Sequence, residues 1–252
     1  MGRHAVVLLR GVSRDARHWQ QWPVSLTQAW GQAVYCPDIP GNGRLWQQVS
    51  PCHLAELVTA LRAQLPNAAQ PPWHIVGLSL GGLAGLGWAQ ALPHEVASLT
   101  LINTSLAGLN PWYQRLRPGA LLRLPWALLL GAVAREPMLL AMTVQDPLVR
   151  TTCLPQWQRW AKAMGTRRSN LLRQLYCAAR AAPARPACPT LVLASRQDRL
   201  VYCACSARLA AYWQLPIRWH EQAGHDLPLD APDWLTAQLL AWWQRCEASA
   251  AP

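Results

Sequence analysis

The sequence contains no phenylalanine, although 15 tryptophans and five tyrosines are spread over its 252 residues. Indole rings must therefore fill most aromatic positions of a hydrophobic core. Charged residues are also scarce, at 14%, whereas 52% of the residues are apolar. This composition excludes an intrinsically disordered chain, because disorder requires low hydrophobicity and high charge. The length is sufficient for one domain with a large core and an insertion.

No membrane span or signal peptide is predicted. The stretch from Ile75 to Pro93 is free of formal charge and close to the length of a membrane span. It contains five glycines, which favour a buried strand followed by a buried helix. Met1-Gly2-Arg3-His4 leads directly into the first strand-like run, which leaves no room for a signal peptide. We therefore expect a soluble, cytoplasmic protein.

The eight cysteines predict neither disulfides nor a metal site. In a reducing cytoplasm, free and mostly buried thiols are favoured over bridges. Cys203 and Cys205 lack the paired spacing of a zinc site. We expect no metal, no cofactor and, since no nucleic-acid-binding motif accompanies the positive charge, no nucleic acid.

Strand-like and helix-like segments alternate along the chain. Strand-like runs are found at 5–9, 33–36, 74–78, 98–103, 190–195 and 216–220, and helical patterns at about 17–30, 52–65, 82–92, 205–213 and 231–246. This alternation predicts an α/β fold with about six mostly parallel strands and helices on both faces of the sheet.

A glycine-flanked serine follows the third strand-like run. The sequence Gly77-Leu78-Ser79-Leu80-Gly81 comes directly before a helix-like stretch. Gly77 and Gly81 would allow a tight turn that raises the Ser79 hydroxyl above the sheet, since a Cβ at either position would collide with neighbouring elements. A strand, a sharp turn and a helix form the context of a serine nucleophile. The alternative is a structural turn without chemistry.

A serine nucleophile requires a base and a group that orients the base. Among seven histidines, His225 lies downstream in a Gly-His turn after a strand-like stretch. Asp198 follows another β-rich run through a short polar turn, and Glu221 is the alternative acid. The chain order Ser79, Asp198, His225 is the order found in α/β-hydrolases. Each residue taken alone could be an ordinary turn residue.

Acyl transfer also requires donors for the developing oxyanion, and these are usually backbone N–H groups. The Leu80 amide, directly after the nucleophile, is one candidate. The Val12 amide is the second, because Gly11 permits a close turn after the strand-like run at 5–9.

These motifs give the chain a resemblance to a known family. The segments that carry it are Leu9-Arg10-Gly11, Asp38-Ile39-Pro40-Gly41-Asn42-Gly43, Gly77-Leu78-Ser79-Leu80-Gly81-Gly82, Leu101-Ile102-Asn103-Thr104-Ser105, Asp198-Arg199-Leu200-Val201 and Ala223-Gly224-His225. The chain resembles α/β-hydrolases of the small carboxylesterase type and is similar to the pimeloyl-carrier-protein methyl ester esterases. The resemblance covers most of the chain and implies an α/β-hydrolase fold.

Two positions depart from that family's pattern. Arg10 stands where the family usually has a histidine that helps to hold the oxyanion loop. Asn42 stands where it usually has a second histidine, although asparagine also suits a glycine-flanked turn. We predict that Arg10 either braces the oxyanion loop or meets a substrate carboxylate.

The segment 108–186 has helical apolar patterns and no strand-like run. We predict that it forms a helical cap over Ser79, inserted between the parts 1–107 and 187–252 of an α/β core. Its tryptophans could line an acyl pocket or pack the cap; they are Trp112, Trp126, Trp157 and Trp160.

The predicted cap carries nearly all of the net charge. Between 110 and 185 there are twelve basic residues and two acids, whereas the formal net charge of the whole chain is +11. A basic cap attracts acidic partners, and the resemblance implies an acyl carrier protein, for which Arg159, Lys162 and Arg167 are candidate contacts. The alternative is composition bias, because Lys162 is the only lysine among 23 basic residues.

The sequence predicts a serine carboxylesterase that acts on an acyl ester, with Ser79 as nucleophile, His225 as base and Asp198 as the orienting acid. Two alternatives stay open. A menaquinone-pathway-type lyase uses a similar fold and the same residue types, and Arg10 with the basic cap would suit its carboxylate-rich substrate. A hydrolase-fold binding protein without catalysis is the other alternative.

Overall fold

Six parallel strands form the centre of the computed structural model, which describes residues 3–249. The strands are β1 (Val6–Leu9), β2 (Val34–Tyr35), β3 (Trp73–Leu78), β4 (Val96–Ile102), β5 (Thr190–Ser195) and β6 (Ile217–His220). Their order in the sheet is β2-β1-β3-β4-β5-β6. The predicted parallel sheet of about six strands is therefore confirmed.

Helices follow the strands, as the alternating pattern predicts. Those outside the predicted cap are α1 (Trp22–Trp30), α2 (Leu54–Arg62), α3 (Leu80–Ala91), α10 (Ala204–Trp213), α11 (Leu227–Asp230) and α12 (Pro232–Ser249). The helix predicted at 17–30 is divided into a 3₁₀ turn, Ala16–Trp19, and α1. The division occurs at Gln20, whose φ of +55° ends the first turn.

The four inner strands, β1, β3, β4 and β5, are buried on both faces, which explains their nearly continuous apolar sequences. In β1, Val7 and Leu9 pack on the side of α2 and α3, whereas Val6 and Leu8 pack on the side of α1 and α12. Successive side chains of a strand point to opposite faces of the sheet, so this alternation places helices on both faces.

Tryptophans fill the aromatic positions of the interior. Five of them are less than 2% exposed, namely Trp19, Trp30, Trp88, Trp157 and Trp243. Trp30 and Trp243 lie against each other with ring centroids 5.2 Å apart. Tryptophan side chains therefore occupy aromatic positions of the core, as the sequence without phenylalanine predicts.

Between β4 and β5 the chain is helical. We call residues 108–186 the insertion; its helices are α4 (Trp112–Arg115), α5 (Pro118–Leu121), α6 (Leu124–Leu129), α7 (Ala132–Thr143), α8 (Pro147–Met164) and α9 (Arg168–Arg180). A small apolar cluster, Leu140, Val144, Cys153 and Trp157, packs inside it. The division of the chain into two domains stays a prediction.

The cysteines differ in one respect from the prediction. All eight are free thiols, but only Cys153, Cys177 and Cys205 are buried, and the other five are half-buried. The prediction that most would be buried is therefore wrong. Within residues 3–249, no three or more His, Cys, Asp or Glu side chains are arranged to hold a metal ion. The same part of the chain contains no helix with the length and apolar character needed to cross a bilayer.

Candidate active site

The site lies where the strand order reverses. The chain places β2 on one side of β1 and β3 on the other, so the carboxyl ends of β1 and β3 form a topological switch point. In open α/β sheets, ligands bind at such points. Ser79 directly follows β3, and the loop that contains Gly11 directly follows β1.

Ser79 has a strained backbone. Its φ of +55° and ψ of −115° lie outside the regions that residues with a Cβ usually occupy. Gly77 and Gly81 make this turn sterically feasible: a Cβ on Gly77 would overlap the backbone of Gly81, and one on Gly81 would overlap the carbonyl of Leu9. Strain of this kind persists only when the surroundings enforce it, and it concentrates at functional sites.

His225 and Asp198 are in direct contact. His225 lies in the turn after β6 and Asp198 in the turn after β5, and His225 Nδ1 is 2.7 Å from Asp198 Oδ2. The amides of Leu200 and Val201 donate to Asp198 Oδ1 at 2.7 and 2.9 Å. Because a carboxylate can only accept, Nδ1 carries the imidazole proton and Nε2 is left as the acceptor.

Glu221, the alternative acid, does not approach His225 in this way. Its side chain is 74% exposed and lies 3.6 Å from the guanidinium of Arg196. Of the two candidate acids, the structure brings Asp198 to the imidazole.

Ser79 and His225 line the same cavity, which has a volume of about 380 Å³. Val12 and Leu80, the two predicted oxyanion donors, also line it. The loop after β1 passes directly over the serine, since a Cβ on Gly11 would be 3.3 Å from Ser79 Cβ. Neither the Val12 nor the Leu80 amide donates to a backbone carbonyl within residues 3–249, so both can donate to a ligand.

Aliphatic side chains form most of the cavity wall. Ten leucines line it, and six of them come from the insertion: Leu116, Leu121, Leu124, Leu139, Leu171 and Leu175. Of the four tryptophans predicted either to line an acyl pocket or to pack the cap, Trp112 reaches the cavity, whereas Trp157 is fully buried inside the insertion.

Comparison with known proteins decides the family. The model of the alpha/beta hydrolase family matches residues 6–238. The chain belongs to this family. The predicted α/β-hydrolase fold is thereby confirmed.

Curated relatives match this chain over shorter segments. Lipase LipV of Mycobacterium tuberculosis is 32% identical over 107 residues, which are 42% of this chain and 39% of the relative. A protein of Variovorax paradoxus, provisionally named carbamate hydrolase RutD, is 36% identical over 100 residues, 39% of this chain and 37% of the relative. The match thus spans less than two fifths of the length of each relative.

The solved structures match over almost the whole chain. The 2-hydroxy-6-oxo-6-phenylhexa-2,4-dienoate hydrolase of Rhodococcus sp. strain RHA1 has a TM-score of 0.78 and 20% identity, and the match covers 96% of this chain and 91% of that one. Esterase RhEst1 of Rhodococcus sp. ECU1013 has a TM-score of 0.76 and 15% identity, with 96% and 90% covered. At these identities the likeness shows the fold alone.

Asn103 lies next to the turn that carries His225, and the sequence analysis gave it no role. It directly follows β4 with a φ of +46°. Its Nδ2 donates to the His225 carbonyl at 2.9 Å, and its Oδ1 accepts from the Ser195 amide at 2.9 Å. Asn103 therefore joins the turn that carries His225 to the ends of β4 and β5. The available sequence signal was a polar residue at the end of an apolar, strand-like run.

Arg10 forms a buried ion pair. Its guanidinium nitrogens lie 3.0 and 2.6 Å from the two carboxylate oxygens of Asp226, the residue after His225. The guanidinium also lies over the Trp19 ring, 4.5 Å from its centroid. Arg10 therefore ties the loop after β1 to the turn that contains His225. Of the two roles predicted for it, these contacts favour bracing, because its charge is already paired.

A polar network joins the insertion to the oxyanion loop. Ser13, at φ +57°, donates its amide to Gln174 Oε1 at 2.8 Å. Gln174 Nε2 donates to Asn42 Oδ1 at 2.9 Å, and Asn42 Nδ2 donates to the Arg14 carbonyl at 2.9 Å. Thr166 also donates to Asn42 Oδ1, at 2.8 Å. Asn42 therefore links the loop after β1 to the insertion, in addition to fitting a glycine-flanked turn. The sequence contained no signal that pointed to Gln174.

A second link between the two parts is ionic. Arg14 lies 2.7 Å from Glu136 of α7, and both side chains are buried. Next to it, burial acts to raise the pKa of the Asp15 carboxyl, but hydrogen bonds from Arg17, together with the adjacent His18 ring, outweigh burial and hold that pKa well below its ordinary value. Burial lowers the pKa of the His18 ring, whose Nδ1 accepts a hydrogen bond from the Asp15 amide at 3.1 Å. The charges beside the oxyanion loop are thus compensated locally.

The predicted partner-binding residues lie on the surface, away from the cavity wall. Arg159 and Lys162, on α8, and Arg167, just before α9, are exposed. The guanidinium of Arg167 lies over the Trp46 ring, 5.0 Å from its centroid.

Proposed function

We propose that this protein is a serine ester hydrolase that cleaves esters with an apolar acyl group. One observation carries the proposal: Ser79, on a strained turn, faces the same cavity as His225, whose Nδ1 is 2.7 Å from Asp198. A serine and a histidine that line one cavity, with a buried carboxylate on the histidine, are the groups that activate a hydroxyl for acyl transfer.

In the proposed reaction, Ser79 Oγ attacks the ester carbonyl while His225 Nε2 accepts the hydroxyl proton. The Val12 and Leu80 amides stabilise the negative charge on the carbonyl oxygen. His225 then donates the proton to the leaving alcohol. A water molecule, deprotonated by His225, next attacks the acyl-enzyme; the bond between the acyl carbon and Ser79 Oγ breaks, and His225 returns the proton to Oγ as the acid leaves. Asp198 holds the imidazole tautomer and stabilises the imidazolium.

The cavity favours a neutral, apolar acyl group. Its wall contains ten leucines, and the Arg10 and Arg14 charges beside it are paired with Asp226 and Glu136. Arg115 and Arg123 also line the cavity, and their guanidinium groups donate to backbone carbonyls. The predominance of leucines in the wall favours an esterase over the lyase alternative. The name of a relative, lipase, agrees with an apolar ester substrate.

The test replaces the nucleophile. In Ser79→Ala, hydrolysis of p-nitrophenyl acyl esters should fall by several orders of magnitude, since removal of a triad member in a serine hydrolase costs about 10⁴–10⁶ in kcat. Labelling by a fluorophosphonate probe should disappear. Ser25→Ala, on the exposed face of α1, is the control and should keep both activities.

Two results would contradict the proposal. A wild-type protein that neither reacts with the probe nor hydrolyses any ester would favour the inert binding protein. A Ser79→Ala variant with more than a few per cent of the wild-type rate would remove Ser79 from the mechanism.

A carrier-bound acyl ester is a narrower proposal about the substrate. It rests on the exposure of Arg159, Lys162 and Arg167, which an acidic carrier protein could contact. Its test is the last prediction of the Discussion.

A further inference from the structure

Exposed apolar side chains concentrate in one short part of the insertion. Among residues 3–249, twelve large apolar side chains are exposed, and six of these lie between 112 and 133. We call these six the lid patch: Trp112, Tyr113, Leu122, Trp126, Leu129 and Val133. Large exposed apolar patches mark sites of interaction with proteins, membranes or ligands.

The same segment forms a wall of the cavity. Leu116, Ala120, Leu121, Leu124 and Ala127 alternate in sequence with the lid patch and line the cavity that contains Ser79. Helix α6 contributes to both the cavity wall and the lid patch, so this helix is apolar on both sides, and Trp112 of α4 belongs to both sets.

The surroundings of the lid patch are basic. No acidic residue occurs between 110 and 135. Arg123, within the segment, is exposed, and the exposed Arg168 donates to the Leu129 carbonyl. Of the two acids of the insertion, Glu136 is buried against Arg14, which leaves Asp146 as the exposed one.

We propose that the lid patch docks on the surface of an anionic phospholipid bilayer, from which the acyl ester enters the cavity. Tryptophan prefers the interface between lipid and water. Apolar side chains combined with cations bind anionic lipid surfaces, because burial in the headgroup region and electrostatic attraction act together. This inference rests on the proposed function for its substrate, but docking itself does not depend on Ser79.

Charge also argues against a second copy of this chain as the occupant. In a symmetric dimer the same patch lies on both subunits. A symmetric dimer would therefore bring two basic surroundings together, and like charges across an interface are repulsive. An anionic lipid bilayer can bind both the apolar side chains of the patch and the basic residues around it.

The experiment measures vesicle binding by the full-length Ser79→Ala protein, so that no substrate is consumed. Co-sedimentation with mixed phosphatidylcholine and phosphatidylglycerol vesicles should exceed co-sedimentation with pure phosphatidylcholine vesicles. A triple substitution, Leu122→Ser, Trp126→Ser and Leu129→Ser, should weaken binding to the mixed vesicles by at least about tenfold, because it removes most of the inserted apolar surface.

Matched controls separate docking from folding and from catalysis. Val24→Ser with Tyr212→Ser removes exposed apolar side chains, 55% and 71% exposed, from α1 and α10 and should leave vesicle binding unchanged. The triple substitution, placed in the Ser79-containing protein, should keep the Tm and the kcat/KM for a short soluble ester within about twofold of wild type, since surface changes usually have small effects.

Several outcomes would overturn the inference. They are the absence of binding to anionic vesicles, equal loss in the patch and control variants, and self-association that disappears with the triple substitution. Binding of the patch to an acidic acyl carrier protein, without vesicle binding, would also overturn it and would identify a protein partner instead. Loss of vesicle docking with normal hydrolysis of soluble esters would leave the proposed function intact.

Discussion

The α/β core and the insertion position their functional groups by different means. In the core, the backbone does so: parallel strands end at one edge of the sheet, and Ser79, Asp198 and His225 follow three of those ends. Gly77 and Gly81 are required because a Cβ at either position would overlap neighbouring backbone. The backbone therefore fixes the position and orientation of Ser79, the proposed nucleophile.

In the insertion, single side chains reach across to the core. Gln174 bonds the Ser13 amide, and Glu136 pairs with Arg14. The insertion also supplies six of the ten leucines that line the cavity. Six helices, three of them with four to six residues, hold these groups. We infer that the core determines the reaction, whereas the insertion determines the substrate and supports the oxyanion loop.

The largest expected effect among the variants that test this comparison is in the core. Asp198→Asn should lower kcat by about 10⁴-fold, because an amide stabilises the wrong tautomer of the histidine. Steady-state kinetics on a p-nitrophenyl ester measure this loss. Glu221→Gln is the control and should be nearly neutral, since Glu221 is exposed and pairs only with Arg196. The reverse pattern would make Glu221 the orienting acid.

The next largest effect is expected when the Arg10–Asp226 ion pair, which joins two loops of the core, is broken. Arg10→Met leaves the Asp226 carboxylate buried without its partner, and such a loss costs about 3–5 kcal/mol of the free energy of unfolding. Urea denaturation, followed by tryptophan fluorescence, measures this cost. Arg10→Met combined with Asp226→Leu should recover much of it, because no buried charge is left unpaired. If Arg10→Met alone proved neutral, the pair would have no role in bracing the loop.

A smaller effect is expected where the insertion meets the core. Gln174→Leu removes the acceptor of the Ser13 amide and should lower kcat by about tenfold, through displacement of the oxyanion loop, with little change in KM. Gln174→Glu keeps an acceptor for Ser13 and should retain more of kcat than the leucine variant does. Ser169→Ala, on the exposed face of the same helix, serves as the control. Unchanged kcat in Gln174→Leu would mean that the core holds the loop without help.

Much of the core could be predicted from the sequence because its pattern is local. Apolar runs predict strands, and parallel pairing then brings the residues after β3, β5 and β6 to one edge, so the approach of His225 to Asp198 was foreseeable. The break at Gln20 was not, because the apolar pattern continues across it and the positive φ belongs to one residue.

The side-chain contacts between distant loops, in the insertion and in the core, could not be predicted, since they join residues far apart in the chain. Gln174 and Ser13 are separated by 161 positions, and Arg10 and Asp226 by 216. From the sequence alone, a buried glutamine on an amphipathic helix cannot be distinguished from a solvent-exposed glutamine. The side chain of Asp226 likewise gives no sign, in the sequence, that it faces Arg10.

The smallest expected effect concerns the outer surface of the insertion. If Arg159, Lys162 and Arg167 contact an acidic acyl carrier protein, reversing their charge to glutamate should lower kcat/KM on a carrier-bound ester by a few-fold, because surface charges act mainly on the association rate. Raising the salt concentration should reproduce this loss in the wild-type protein, since the Debye length shortens to about 8 Å at physiological ionic strength. A small neutral ester should respond to neither change. Equal and weak responses of both substrates would mean that these three residues are a solvated surface, and the contrast between a catalytic core and a substrate-selecting insertion would then rest on the leucines of the cavity and on Gln174 alone.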